Sequence, residues 1–454
     1  MKRFRSVLIL LAVFALIVAA CSDDEGDGGD SGGSDTTTTT AADSGTSLEG
    51  TSVTVFGPES TDNEAGAMQD ALNIFAEANG MTITYTGARD FSDQINAQAA
   101  GGNPPDIGVF PQPGKVIDFG TQGFILPIPT ELVDFSRPQW PGGTLETVSA
   151  ADQVWGLPNK TDLKSLVWYN SQIFADGGYT VPTTLDELLA LGSQMIADGV
   201  TPWCVGIESG PATGWTFTDW MEDLTLRLQG PDFYDDWVSN EVKFDDERVI
   251  GIGQTIIDIW NTPGNTFAAG GTIAATAFGA NGEPLAAGDC AMHRQASFFA
   301  AFFPEGTTVG PGQEVDVFYF PSADDSTPVL TAGTYVSAFR DAPEVWAVME
   351  YLTSAEYSTE RQRAQAARVN ADGGNANSGY LSANLNQDLS VYNELEQFFV
   401  STLQTADPAR FDGSDLMPAA VGAGAFWTEG TSAVNGDKTV NDAFAAIQAA
   451  WPSE

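Results

Sequence analysis

The chain has 454 residues, more than one hydrophobic core usually organises, and its 43% hydrophobic and 11% aromatic content suits a well-packed body of two domains. It carries 61 acidic against 18 basic residues, a formal net charge of -43, which excludes nucleic acid and anionic lipid surfaces as partners. A single histidine, His293, excludes zinc sites built from cysteine and histidine and confines any Ser-His-Asp arrangement to one position.

The N-terminal segment has the organisation of an export signal. A short basic start precedes an apolar run at residues 7–17, which is too short for a permanent membrane helix, and small residues come directly before Cys21. This order resembles a bacterial lipoprotein signal, which implies removal of residues 1–20 and a lipid group on the Cys21 thiol. The alternative is an ordinary secretory signal with a chance cysteine. The acidic, glycine-rich and threonine-rich sequence that follows predicts a flexible tether over residues 21–47.

The sequence after residue 51 alternates between strand-like and helix-like patterns. β-Branched residues at Val53 and Val55 predict a strand, and apolar residues at helical spacing then predict a helix that ends at Gly80. A strand at residues 81–85, a second helix and a strand at residues 106–110 follow. This β-α-β-α-β order predicts an α/β fold with a parallel, doubly wound sheet.

The same strands indicate where a ligand would bind. In doubly wound sheets, ligands lie beyond the carboxyl ends of the strands. The loops after the first and third strands therefore form a candidate cleft wall. They hold Glu59, Phe110 and Gln112.

A second α/β region begins near residue 170. A helix is predicted over residues 185–197, because Thr184 and Glu187 have the spacing of a capping box. Residues 315–320 have the pattern of another strand, and a helix is predicted from Pro343. The last helix places three apolar residues on one stripe, Phe444, Ile447 and Trp451, which we expect to belong to the core.

Two cysteines remain once Cys21 is assigned to lipid. In an exported protein, Cys204 and Cys290 would most often form a disulfide, which closes a long loop and constrains the unfolded chain. The alternative is a pair of buried free thiols.

Several aromatic residues lie beside polar planar residues in segments that are predicted to be loops. This mixture is typical of carbohydrate sites, because an aromatic face packs on the C–H face of a sugar while carboxylates, amides and guanidinium groups bind its hydroxyls. For each single tryptophan, burial in the core is an equally good interpretation. The residues are Trp155, Trp168, Trp203, Trp215, Trp220, Phe298 and Trp427.

The order of short motifs along the chain resembles the family 1 extracellular solute-binding proteins of ABC sugar importers. The Trp-Cys segment at residues 203–210 and the segment at residues 290–298 are most similar to the α-glucoside and maltose-binding branch. The motifs that carry the resemblance are Asn-Pro-Pro-Asp-Ile at 103–107, Gly-Phe-Ile-Leu-Pro-Ile at 123–128, Lys-Ser-Leu-Val-Trp-Tyr-Asn at 164–170, Gly-Asp-Cys-Ala-Met at 288–292 and Phe-Trp at 426–427.

The resemblance implies a two-lobed, periplasmic-binding-protein type II fold, with a doubly wound sheet in each lobe and a cleft between the lobes. Lobe I would comprise residues 48–160 and 315–360, and lobe II residues 161–314 and 361–454. Hinges would lie near residues 159–162, 308–314 and 354–375. The chain would be a monomer without cofactor or bound metal, lipid-anchored on the outer face of the cell membrane, and would deliver sugar to a permease with its ATPase.

Site residues follow partly from the resemblance and partly from side-chain chemistry. The family pattern places ligand contacts at Phe110, Gln112, Lys115, Asp162, Glu208, Phe298 and Trp427. Side-chain chemistry adds Glu59, Trp215, Arg294 and Gln295 as candidates. Two positions depart from the family pattern: Pro113 stands where an acid is expected, and Phe298 where tryptophan is expected.

Two other functions fit the same sequence. A secreted glycoside hydrolase needs two opposed carboxylates and no histidine, and Glu208 with Asp219 is one candidate pair. A lipoprotein that binds a peptide or a polyamine would use acids without aromatic stacking. Release of reducing sugar would favour the hydrolase, whereas tryptophan quenching by a neutral sugar would argue against the polyamine site.

Overall fold

The computed structural model describes residues 47–324, 326–371 and 377–452. The predicted signal peptide, the lipid-bearing Cys21 and the tether before residue 47 lie outside the described residues. The strands are β1 Ser52–Gly57, β2 Thr82–Gly87, β3 Ile107–Phe110, β4 Ser149–Ala150, β5 Gln153–Val154, β6 Leu157–Leu163, β7 Leu166–Asn170, β8 Trp203–Cys204, β9 Thr266–Phe267, β10 Met292–Arg294, β11 Val315–Tyr319, β12 Val329–Ala338 and β13 Ala409–Phe411.

The helices pack around two large sheets, and β4 and β5 form a separate two-stranded sheet. The α-helices are α1 Asp62–Asn79, α2 Phe91–Ala100, α3 Pro113–Thr121, α4 Thr130–Ser136, α5 Ser171–Gly177, α6 Leu185–Ala197, α7 Trp215–Gln229, α8 Pro231–Val238, α9 Glu247–Asn261, α10 Gly282–Ala287, α11 Pro343–Leu352, α12 Ala355–Val369, α13 Glu394–Thr405, α14 Gly413–Leu416, α15 Trp427–Val434 and α16 Val440–Ala449. Short 3₁₀ turns lie at Arg137–Gln139, Glu146–Val148, Phe278–Asn281, Ser297–Phe302 and Leu389–Val391, and a π-helix at Val421–Phe426 leads into α15.

The first sheet confirms the predicted β-α-β-α-β unit. Its strand order is β13-β12-β3-β1-β2, and β6 pairs with β12 as well. Strands β1, β2 and β3 are parallel, whereas β12 runs antiparallel to β3. Helix α1 buries Met68 and Leu72 completely and ends at Gly80, whose φ of 63° is the left-handed conformation that glycine adopts without steric cost. Local periodicity and a local helix stop therefore specify this half of the fold.

The second sheet has the strand order β11-β7-β10-β8-β9. Helix α6 packs in this lobe and begins with the predicted capping box, in which Thr184 and Glu187 exchange backbone and side-chain hydrogen bonds. The structure differs from the predicted lobe boundary at residue 315, because β11 hydrogen-bonds to β7 along its whole length. Strand pairing thus places residues 315–319 with the second sheet, and the chain returns to the first sheet at β12.

Cys204 at the end of β8 and Cys290 just before β10 form a disulfide, as predicted. Their Cα atoms are 5.5 Å apart, and both side chains are buried. The bond joins neighbouring parallel strands of the second sheet. His293 lies beside it, with Nδ1 at 2.9 Å from the Cys204 carbonyl oxygen.

Removing this disulfide is expected to lower the free energy of unfolding by about 2 to 4 kcal/mol. The cysteines are separated by 86 residues, so the bond excludes many conformations of the unfolded chain. Urea unfolding of the Cys204→Ala/Cys290→Ala variant, compared with the oxidised parent chain, measures this loss. Dithiothreitol should destabilise the parent chain and leave the variant unchanged. An equal response of both to the reductant would contradict the prediction.

Three of the seven sequence-predicted aromatic candidates belong to the core rather than to loops. Trp168, Trp203 and Trp220 are each less than 5% exposed and pack among apolar residues of the second lobe. Trp155 is half-buried, and its Nε1 donates to the Ala150 carbonyl oxygen.

Within the described residues, no helix combines the length and the apolar composition that crossing a lipid bilayer requires.

Candidate functional site

A cleft opens beyond the carboxyl ends of β1, β2 and β3. These strands are parallel, so their carboxyl ends lie together at one edge of the first sheet. The segments that follow the three strands contribute Glu59, Arg89 and Gln112 to its lining. Strands β6 and β12 add polar groups and backbone, and the second lobe covers the opposite side. The loops after β1 and β3 therefore lie where the sheet topology predicted a cleft wall.

One wall of the cleft is aromatic. The Trp215 ring lies with its centroid 5.0 Å from that of Phe278 and 6.1 Å from that of Phe298, and Phe302 lies 5.4 Å from Phe278. All four rings line the cleft together with Trp427. This wall offers several flat apolar faces to a ligand.

A glycine sets the position of Trp215 against Trp427. Gly214 has a φ of 113°, and a Cβ atom there would lie 2.3 Å from the Trp427 carbonyl oxygen. The α7 and α15 helices can therefore approach closely at this point only because position 214 lacks a side chain. Both tryptophans begin their helices, so the two rings reach the cleft from adjacent helix starts.

A buried charge network adjoins the aromatic wall. The Lys160 ammonium donates to Glu59 Oε1 at 3.0 Å and lies 3.5 Å from Asp162 Oδ2, while the Arg361 guanidinium donates to Glu59 Oε2 at 2.8 Å. Burial would raise the pKa of Glu59, but Lys160 and Arg361 outweigh it and lower this pKa to about 2. Glu59 is thus a fixed carboxylate at neutral pH.

Two polar atoms in the lining have no hydrogen-bond partner within the described part of the chain. Asp162 Oδ1 is a buried acceptor on β6, and Trp427 Nε1 is a buried donor at the start of α15. Burial raises the pKa of Asp162. A buried polar group without a partner is costly, and the lining therefore carries one unused acceptor and one unused donor.

A second charge network lies behind the cleft. The Lys164 ammonium, which lines the cleft, donates to Asp219 Oδ1 at 2.6 Å and also contacts Asp412, and Arg294 donates to Asp219 at 3.1 Å and to Asp223 at 2.6 Å. Burial raises the pKa of Asp219 to about 6 despite these cations. The network holds β6, α7 and the segment after β13 in fixed positions.

The second network also contains a group of carboxylates with the spacing of metal ligands. Oxygens of Asp219, Glu222 and Asp412 lie within 4.8 Å of one another. The Lys164 ammonium contacts two of these carboxylates and supplies positive charge at this point. The arrangement therefore fits a buried ion-pair network.

The structure brings together six of the sequence-predicted contacts. Glu59, Gln112, Asp162, Trp215, Phe298 and Trp427 all line the cleft. Lys115 lies in an adjoining cavity that shares part of the cleft lining.

Four predicted contacts lie outside the lining, and each has another partner. The Phe110 ring is completely buried between Phe91 and Phe119, at 5.4 and 5.5 Å. Glu208 accepts from the Gly210 N–H at 2.7 Å and so fixes its own turn. The other two are also engaged elsewhere: Arg294 donates to Asp219 and Asp223 in the second charge network, and Gln295 accepts from the Ala296 N–H at 2.8 Å.

Several lining residues were not predicted from the sequence. Lys164 stands in a motif that carried the family resemblance, so its charge just before the apolar strand β7 was an available signal. Asp412, Ser414 and Asp415 follow β13, a strand too short to show periodicity. The remaining missed residues include Glu64, Arg89, Lys160, Phe278 and Phe302.

Comparison with known proteins identifies a family and relatives that this chain resembles along most of its length. Residues 57–359 match the family described as bacterial extracellular solute-binding protein. The chain is 36% identical over 428 residues to the alpha-glucosides-binding periplasmic protein AglE of Rhizobium meliloti (strain 1021), covering 90% of this chain and 89% of that protein. It is 36% identical over 402 residues to the osmoprotective compounds-binding protein GgtB of Synechocystis sp. (strain ATCC 27184 / PCC 6803 / Kazusa), covering 85% and 89%.

Solved structures share the fold at low sequence identity. A chitin oligosaccharide binding protein superimposes with a TM-score of 0.69 at 17% identity, covering 88% of this chain and 98% of that one. The solute-binding protein RafE in complex with raffinose gives a TM-score of 0.66 at 15% identity, with 88% and 98% covered. These likenesses establish the two-lobed type II fold, each lobe built on its own sheet. The chain belongs to the bacterial extracellular solute-binding protein family.

Proposed function

We propose that this chain captures a carbohydrate as the substrate-binding component of an ABC importer. The observation that carries the proposal is the cleft lining, which combines an aromatic wall containing Trp215 and Phe298 with fixed polar groups on Glu59, Lys160 and Asp162. A sugar offers C–H faces to aromatic rings and hydroxyls to carboxylates and ammonium groups. The aromatic and the polar parts of the lining therefore match the two kinds of surface on a saccharide.

The proposed ligand is an α-glucoside or a related oligosaccharide. The name of AglE, a relative that aligns along most of the chain, supports this class. The lining supports it too, because Lys160 and Lys164 already lie 5.6 and 5.4 Å from the Phe298 and Trp215 ring centroids. Cations on these rings disfavour a second, ligand-borne cation and so argue against a polyamine.

Capture would work by closure of the two lobes over the sugar. Binding energy can favour the closed form only if the ligand contacts both lobes, which the cleft lining permits. The predicted hinges at residues 159–162 and 308–314 lie within β6 and before β11, whereas the chain passes between the sheets from β6 to β7 and from β11 to β12. We therefore propose hinges at these two crossings. The third predicted hinge, residues 354–375, is largely occupied by α12, which packs on α1, so bending there would be limited to the ends of that helix.

Binding without covalent chemistry is the proposed mode of action. The rival hydrolase needs two carboxylates that reach a glycosidic bond from the cleft. Glu208 and Asp219 are not among the lining residues, and Asp219 is bound by Lys164 and Arg294.

After capture, the closed form would dock on a permease with its ATPase on the outer face of the membrane. The chain would act there as a monomer that is anchored through Cys21.

Tryptophan fluorescence tests this function directly. Titration with maltose, trehalose, sucrose and longer α-glucans is expected to give a saturable change with at least one sugar, because Trp215 and Trp427 line the cleft. Chromatography of the same samples should recover the sugar intact. Release of reducing sugar would favour the hydrolase, and a response to spermidine but to no neutral saccharide would favour a polyamine site.

A further inference from the structure

A side cavity continues from the cleft past Trp427. The two cavities share Arg89, Ser92, Ala212 and Trp427 in their linings, so a ligand in the cleft can extend into the side cavity. Apart from Trp427, the side cavity has no aromatic ring in its lining among the described residues, and polar groups alternate there with alanine and glycine. Its chemistry therefore differs from that of the main cleft.

The side cavity holds two cations that lack a carboxylate partner. Among the lysines and arginines that the structure describes, only Arg89, Lys115 and Lys243 have no carboxylate oxygen within 4.0 Å. Arg89 and Lys115 both line the side cavity, whereas Lys243 is exposed elsewhere. In a chain with 61 acidic residues, two such cations in one cavity are an unusual arrangement.

The partners of these two cations are neutral. Lys115 is 4% exposed, and its ammonium donates to the Ser92 carbonyl oxygen at 3.2 Å and to Asn96 Oδ1 at 3.4 Å, which leaves one of its three N–H groups unused. The Arg89 guanidinium lies 5.8 Å from the centroid of the Phe278 ring. Burial lowers the pKa of Lys115, although Asp93 and Asp118 oppose this effect from longer distances.

Two carboxylates also line the side cavity without neutralising these cations. Asp90 accepts from the Gln94 side chain at 2.7 Å, and Asp93 lies beyond ion-pair distance from Arg89 and Lys115. The unused donors of the two cations thus remain available. Guanidinium and ammonium groups bind carboxylate and phosphate oxygens more strongly than they bind hydroxyls.

We propose that the side cavity binds an anionic group, a carboxylate or a phosphate, carried by the saccharide in the main cleft. This inference rests on the proposed carbohydrate-binding function and specifies the ligand further. The sugar ring would lie against the aromatic wall, and its anionic substituent would pass Trp427 to reach Arg89 and Lys115. The preferred substrate class is then an anionic glycoside rather than a neutral one.

Matched ligand pairs test this inference by calorimetry in 0.15 M NaCl, where long-range repulsion from the acidic surface is screened. Maltobionate and maltitol differ only by a carboxylate in place of a terminal CH₂OH, and trehalose 6-phosphate and trehalose differ by the phosphate. We expect at least one anion to bind threefold or more tightly than its neutral partner. In Arg89→Gln and in Lys115→Met this preference should disappear. The Lys243→Met variant, with the same change in net charge, should retain it.

The outcomes separate the two proposals. If maltitol or trehalose binds and neither anion is preferred by threefold, the inference fails and the carbohydrate function stands. If the preference persists in both cavity variants, the anion is bound elsewhere and the inference also fails. If no saccharide binds, both proposals fail. Arg89 is exposed, so Arg89→Gln keeps the test valid even if Lys115→Met does not fold.

Discussion

Replacing Lys164 with Met is expected to lower the free energy of unfolding by about 3 to 5 kcal/mol. This is the typical cost of removing one partner of a buried ion pair, because the other charge stays buried without compensation. The Lys164 ammonium donates to Asp219 at 2.6 Å and contacts Asp412, and all three side chains are at least nine-tenths buried. Without it, two carboxylates of the second charge network lose their common cation. Urea unfolding at pH 7 measures the effect.

The pH dependence of this loss identifies its cause. Lys164 lowers the pKa of both Asp219 and Asp412 in the parent chain, so its removal is expected to raise both pKa values. A carboxylate whose pKa is raised on folding costs stability as the pH rises through its unfolded and folded pKa values, so the loss is expected to grow with pH. The destabilisation should therefore be smaller at pH 5 than at pH 8. Lys243→Met removes an exposed lysine and should change stability by less than about 0.5 kcal/mol. A loss that is equal at both pH values would indicate lost packing instead.

The fold could be predicted wherever local signals were strong. The helix that ends at Gly80 and the capping box at Thr184 are specified by residues close in sequence, and both form as predicted. Strands β8, β9 and β10 have only two or three residues each, which is too few for a period to show. The position of β11 depends on its pairing with β7, a contact between residues far apart in the chain, so the sequence pattern could not assign it to a lobe.

The site could be predicted only in part, for a related reason. Phe110 and Phe298 are both aromatic residues near a strand end, yet one is completely buried among other rings and the other lines the cleft. Tertiary packing alone separates them. Arg294 likewise has a side chain that is able to bind sugar hydroxyls, but Asp219 and Asp223 form salt bridges with its guanidinium. Composition identifies which residues are able to bind sugar, and neighbours in space decide which of them are free to do so.

Trp215 is the ring from which we expect the largest contribution to sugar affinity. It is half-buried, and it contacts both Phe278 and Phe298, so it lies at the centre of the aromatic wall. Central aromatic residues of a binding site typically contribute about 2 to 4 kcal/mol when they are truncated to alanine. The Lys164 ammonium lies 5.4 Å from its ring centroid, a cation–π contact that helps to hold the ring in place.

The Trp215→Ala variant is therefore expected to bind its sugar roughly 30- to 700-fold more weakly than the parent chain, as measured by isothermal titration calorimetry. Trp215→Phe should recover most of the affinity, because a phenyl ring still offers a flat face to the sugar. Trp346→Ala is a matched control, since this tryptophan of α11 is also half-buried but does not line the cleft. If Trp215→Ala stays within threefold of the parent while remaining folded, the aromatic wall does not hold the sugar, and the ligand must be bound by the polar side of the cleft alone.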